Sequence, residues 1–149
     1  MIIHPMLRQI EFSKDKNPHA RKQSIRQMCK LLNDGLSRDD MALFQDRIFE
    51  MTYDTDSEVR LLAVSELCPC RVKDNIDTLW KRVFELVHDE NPLIRSRILH
   101  IICDGSPSEY ETQIMEALDT LHKDEDKGVR KVANRVMASV KATGKWNIL

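Results

Sequence analysis

Apolar residues recur along this chain at intervals of three and four, with no sustained alternation, and that period is helical. Met6, Leu7 and Ile10 open the series. Met41, Leu43, Phe44, Ile48 and Phe49 form a second run, and Ile76, Leu79, Trp80, Val83, Phe84 and Val87 a third. Ile114, Met115, Leu118 and Leu121 form the fourth. After each run comes a short polar turn and then another helical segment. The turns share a pattern: Asp15-x-Asn17, Asp54-x-Asp56, Asp89-x-Asn91 and Asp124-x-Asp126, each with an arginine six residues after the first Asp. Those arginines, Arg21, Arg60, Arg95 and Arg130, are separated by 39, 35 and 35 residues. Three residues beyond each stand Ser24, Ala63, Ile98 and Ala133, and seven beyond stand Met28, Leu67, Ile102 and Met137. One helical face is therefore written four times, which is the signature of a repeat architecture.

The punctuation agrees with the period. Asn17-Pro18 and Asn91-Pro92 read as an N-cap followed by proline at the first helical position. Gly35 and Gly105 follow second helices, where a left-handed cap is expected, and Ser108 to Glu111 reads as a capping box. The spacing predicts helix pairs at roughly 5–14/18–33, 38–53/57–68, 74–88/92–104 and 108–122/127–142, in units 1–35, 36–71, 72–106 and 107–142 of one domain with a tail at 143–149. Val59, Ile94 and Val129, each just before a repeat arginine, are expected to be buried.

With two helices per unit, a period in the high thirties and an Asp six residues before an Arg, the chain resembles the HEAT-repeat family over nearly its whole length. The resemblance implies an all-α, armadillo-like superhelix of about four helix pairs, a right-handed solenoid without a sheet. It also implies a binding scaffold more than an enzyme, although nucleic-acid binders and a few enzymes use the same fold, so fold alone does not choose. The tetratricopeptide pattern of Trp, Gly, Tyr and Ala is missing.

Composition narrows the choice. The net charge is −1, which argues against avid non-specific DNA binding, and aromatic residues make up only 5%. No stretch approaches the roughly 18 apolar residues of a membrane span, and no secretory leader is recognisable, so a reducing, cytoplasmic setting with free thiols is expected. The near-neutral total conceals a split. The second helices sum to +9, carried by segments 19–33 and 127–141, while the first helices sum to −6. In the predicted solenoid the positions one and five residues after each repeat arginine form a column: Lys22/Arg26, Leu61/Ser65, Ser96/His100 and Lys131/Arg135. The column predicts a concave side basic at both ends, suited to an acidic peptide, an acidic protein or a phosphate backbone. Lys22, Arg26, Ser96, His100, Lys131 and Arg135 are the candidate partner-binding residues of a monomer. A protein or acidic peptide is the expected partner and nucleic acid the alternative.

The repeated Asp15/Arg21, Asp54/Arg60, Asp89/Arg95 and Asp124/Arg130 read as a structural ladder, each Arg bonding a turn Asp or a helix-end carbonyl in its own or the adjacent unit. Cys29, Cys68 and Cys103 occupy the eighth position after the arginine, where Ala138 suggests that a small buried residue belongs. Cys68, Cys70, His100 and Cys103 are soft ligands in type, but Cys-x-Cys is tighter than usual zinc spacing, and structural thiols are the stronger reading. No catalytic constellation and no cofactor motif is recognisable. Beyond Gly144, Trp146, Ile148 and Leu149 are expected to fold back and cap the last helix pair, near Val136 or Val140; the alternative is a partner-docking tail.

Overall fold

Short polar side chains at the turns build the helix starts, and they do so at all four turns in the computed structural model, which describes residues 4–35, 37–67 and 77–149. Within each turn the first Asp accepts, through Oδ1, the amide two residues on: Asp15 from Asn17 at 2.8 Å, Asp54 from Asp56 at 2.9 Å, Asp89 from Asn91 at 2.9 Å and Asp124 from Asp126 at 2.8 Å. The residue so positioned is the N-cap. Asn17 accepts from His19 N, Asp56 from Glu58 N and Val59 N, Asn91 from Leu93 N, and Asp126 from Val129 N. These bonds satisfy backbone donors that a helix start leaves without an internal partner. Pro18 and Pro92, at the first helical turn, sacrifice no bond by lacking an N–H.

All regular structure among the described residues is helical, and no described helix is long and apolar enough to cross a membrane. The chain divides into two compact units, Met1–Glu66 and Leu67–Leu149. The first holds α1 (Pro5–Phe12), α2 (Pro18–Asn33), α3 (Arg38–Met51) and α4 (Ser57–Ser65). The second holds α5 (Asp77–Glu85), which runs on as a 3-10 turn (Leu86–His88), then α6 (Pro92–Gly105), a 3-10 turn (Ser108–Tyr110), α7 (Glu111–Leu121) and α8 (Lys127–Thr143). In each unit the helices of a pair pack on one another, α2 lies against α4 and α1 against α3, and α6 lies against α8 and α5 against α7. Val59, Ile94 and Val129 are fully buried, and so are Ser24, Ala63, Ile98 and Ala133, each three residues after a repeat arginine. Burying a side chain of the Val or Ile class contributes about 1.5–3 kcal/mol.

Several local expectations are corrected. Met41 and Leu43 are exposed, because α3 turns Phe44, Ile48 and Met51 inward instead. Ser108 caps nothing with its side chain; it opens a 3-10 turn after Pro107, and α7 begins only at Glu111. Ala138 is exposed and Cys29 half-buried, so the eighth position after the arginine is buried only at Cys103 among those described. Gly35 takes the left-handed conformation (φ 88°), as does Gly144 (φ 74°), but Gly105 does not. It remains inside α6, which kinks at Cys103 (φ −103°, ψ 16°).

The reason lies forty residues away. Past Gly144 the chain reverses and lays Trp146–Leu149 against the end of α6. Leu149 N donates to the Cys103 carbonyl at 2.9 Å. Asn147 brackets Ser106, accepting from its N–H and donating to its C=O, both at 3.1 Å. Trp146 Nε1 donates to Ser106 Oγ at 2.8 Å. The helix end that a glycine cap usually closes is thus closed by the tail, and Trp146 is anchored to α6 by its indole N–H.

Candidate functional site

Each repeat arginine enters its own turn. One terminal nitrogen, Nη1, donates to the carbonyls six and five residues earlier: Arg21 to Asp15 (3.0 Å) and Lys16 (3.1 Å), Arg60 to Asp54 (2.9 Å) and Thr55 (3.2 Å), Arg95 to Asp89 (2.8 Å) and Glu90 (3.1 Å), and Arg130 to Asp124 (2.6 Å) and Glu125 (2.9 Å). Planar guanidinium has a second edge, Nε with Nη2, pointing the other way. Arg21 uses it to grip Asp54 of the following turn through two bonds of 2.8 Å. Arg95 grips Asp124 likewise, at 2.7 and 2.9 Å. These are paired, charge-assisted bonds in largely buried surroundings, strong because both groups are ionised and aligned. The bonds to Asp54 raise the Arg21 pKa and those to Asp124 raise that of Arg95, while Arg95 lowers the Asp124 carboxyl below its ordinary range. The Asp thereby does two tasks at once, shaping its own turn and receiving the preceding arginine.

The candidate partner-binding residues separate on inspection. Lys22 is committed: its ammonium pairs with Glu58, four residues beyond the Asp54 that Arg21 holds. Arg26 and Ser96 are exposed, and half-exposed His100 stands 3.9 Å from Asp104. Lys131 and Arg135 are exposed on α8, a helix without a single acidic residue. With Lys127 and Lys141 they lie within roughly a third of the helix circumference, counting about 100° per residue, over a rise of about 21 Å. None of these four cations joins an ion pair among the described residues. Comparison of the chain with protein-family models, curated sequences and solved structures found no match.

The thiol and histidine candidates do not assemble where they are described. Cys68 and Cys70 lie outside the described residues. Cys103 is fully buried, and burial pushes its thiol up to about 12, which opposes the thiolate that a metal needs. No group of three metal-ligating side chains occurs among the described residues. In the second unit an open groove of about 350 Å³ is lined by Phe84, Val87, Ala117, Glu116 and Asp119, among others. Asp119 is engaged by Lys123 and His122, and Lys123 foremost lowers its pKa.

One feature escaped the sequence reading: the free second edge of Arg130. Among the described residues nothing accepts from its Nε or Nη2. The signal was present in part, since the repeat pattern gives Arg21 an Asp in the next turn, whereas residues 131–149 contain no Asp-x-(Asp/Asn) pattern.

Proposed function

We propose that this protein is a non-enzymatic binding module, a HEAT-type scaffold that captures an acidic protein segment on the exposed basic face of α8. One observation carries the reading: Lys127, Lys131, Arg135 and Lys141 form an exposed stripe without a counter-ion among the described residues, on a helix that has no acid of its own. Like charges gathered on one face cost self-repulsion in the free protein, and an acidic partner relieves it. The steps from Lys127 to Lys131 to Arg135 rise about 6 Å each, which matches carboxylates repeated every fourth residue along a partner helix. Lys22, neutralised by Glu58, contributes less than the residue pattern suggested.

The test is titration with a helical peptide bearing Glu at every fourth position, compared with single-stranded and duplex oligonucleotides of equal charge. Reversing Lys127, Arg135 and Lys141 to Glu is expected to weaken peptide binding at least tenfold while helicity stays unchanged. Equal binding by the variant would show the stripe to be merely solvated. Tighter oligonucleotide binding that falls linearly in log–log plots against salt would replace the protein partner with a nucleic acid.

A further inference from the structure

Arg130 and Lys131 repeat, in order and in helical register, Arg21 and Lys22. In the first unit that Arg-Lys pair is seen occupied. Arg21 grips Asp54 by Nε and Nη2, and Lys22 pairs with Glu58, so the two cations read an Asp and the residue four places after it. Asp54 meanwhile holds its turn through Asp56 N, and Asp56 caps the helix that carries Glu58. The bound object is a helix start of the form Asp-x-Asp-x-Glu. At the other pair, Arg130 is already anchored by Nη1 to the Asp124 and Glu125 carbonyls, which orients the guanidinium plane as in Arg21. Its outer edge is unoccupied among the described residues, and Lys131 is exposed and unpaired. The tail makes no hydrogen bond to it among the described residues: its bonds go to Cys103, Ser106 and Ser139.

We propose that Arg130 and Lys131 form a docking site for a helix-initial Asp-x-(Asp/Asn)-x-Glu turn presented by another protein, with Arg130 taking the Asp carboxylate through two parallel bonds and Lys131 taking the Glu. The site rests on the reading of α8 as a binding face and names the chemistry that occupies its N-terminal end. A second copy of this chain does not fit. Its one turn with Glu at the fourth position after the Asp is 54–58, which its own Arg21 already holds. Its exposed Asp15 is flanked by Lys14 and Lys16, and the fourth position after it is His19 rather than an acid, so Lys131 would find no carboxylate there. Arginine rather than lysine is required at the first position, because only the guanidinium offers a planar fork to both carboxylate oxygens.

The experiment uses the full chain and a fluorescein-labelled, helix-stapled peptide opening on Asp-Thr-Asp-Ser-Glu, followed by anisotropy. Saturable binding is expected, weakened at least tenfold by replacing the peptide's first Asp with Asn and by Arg130→Lys. Lys131→Glu is expected to weaken binding similarly, and a peptide with Lys in place of its Glu should recover most of the loss on that variant. Lys131 is exposed and holds no part of the turn, so this charge swap stays informative even if Arg130→Lys loosens the helix start. Absence of saturable binding, equal binding of the Asp and Asn peptides, or indifference to Lys131→Glu overturns the proposal. If those arms are flat while reversal of Lys127, Arg135 and Lys141 still weakens an unpatterned acidic peptide, the docking site fails and the wider reading of α8 survives. Self-association of the wild type that Asp15→Asn abolishes also overturns it, in favour of head-to-tail assembly.

Discussion

Single side chains here carry double assignments, and Asp124 shows what that costs to disturb. Its Oδ1 accepts from both Asp126 N and Arg95 Nη2, and its Oδ2 accepts from Arg95 Nε. Removing Arg95 strands a largely buried carboxylate, so Arg95→Leu should destabilise the second unit by about 3–5 kcal/mol. Asp124→Asn keeps the shape and the turn but loses the charge, and its penalty should depend on pH. Because Arg95 lowers the native pKa of Asp124, the unfolded chain takes up the proton first as pH falls. The stabilisation is therefore complete above the unfolded Asp value of about 3.9 and is lost as pH drops through the lower native value. Urea denaturation at a series of pH values should show the wild type and Asp124→Asn far apart at neutral pH and converging below pH ~3.9. A gap that stays constant with pH would mean that the ion pair adds nothing beyond its geometry.

At the level of the helices, α6 shows how far sequence pattern reaches. Ile94, Ile98, Leu99, Ile101 and Ile102 are buried almost completely, so more than one face of α6 is covered. Ile94→Ala should cost about 2–5 kcal/mol, measured as a shift in the chemical denaturation midpoint; a change below 1 kcal/mol would indicate that the site collapses around the deletion. Ile94 was legible because its period and its place before Arg95 are local. The start of α6 was legible for the same reason, since Asn91 and Pro92 act within two residues. Its end was not. Gly105 carries the residue type of a left-handed cap, yet the cap comes from Asn147 and Leu149, whose proximity no local pattern encodes. Ser108 failed as a capping box because the proline before it leads into a 3-10 turn instead. The candidate site divides along the same line. That α8 is basic could be read directly, whereas the commitment of Lys22 to Glu58 spans 36 residues and emerged only with the fold.

At the scale of the whole chain, the segment after Gly144 has no regular structure yet is bonded to residues some forty positions earlier. Its hydrogen bonds reach Ser106 and Cys103, and Ser139 Oγ donates to the Lys145 carbonyl at 2.8 Å. Removing residues 145–149 should therefore lower the stability of the second unit by about 1–3 kcal/mol, from the loss of half-buried Trp146 and of bonds worth about 1 kcal/mol each. Calorimetry of the full and shortened chains would measure it, and an unchanged melting temperature would show that the tail is only resting on the surface. The Cys103 carbonyl receives the tail while the Cys103 thiol is sealed inside and held protonated at ordinary pH. One residue is thus a clock hand for its own enclosure. The speed at which an alkylating reagent reaches that sulfur reports the fraction of time the α6 end stands open, and any ligand that peels the tail away would announce itself by making Cys103 react faster, without a label having been introduced.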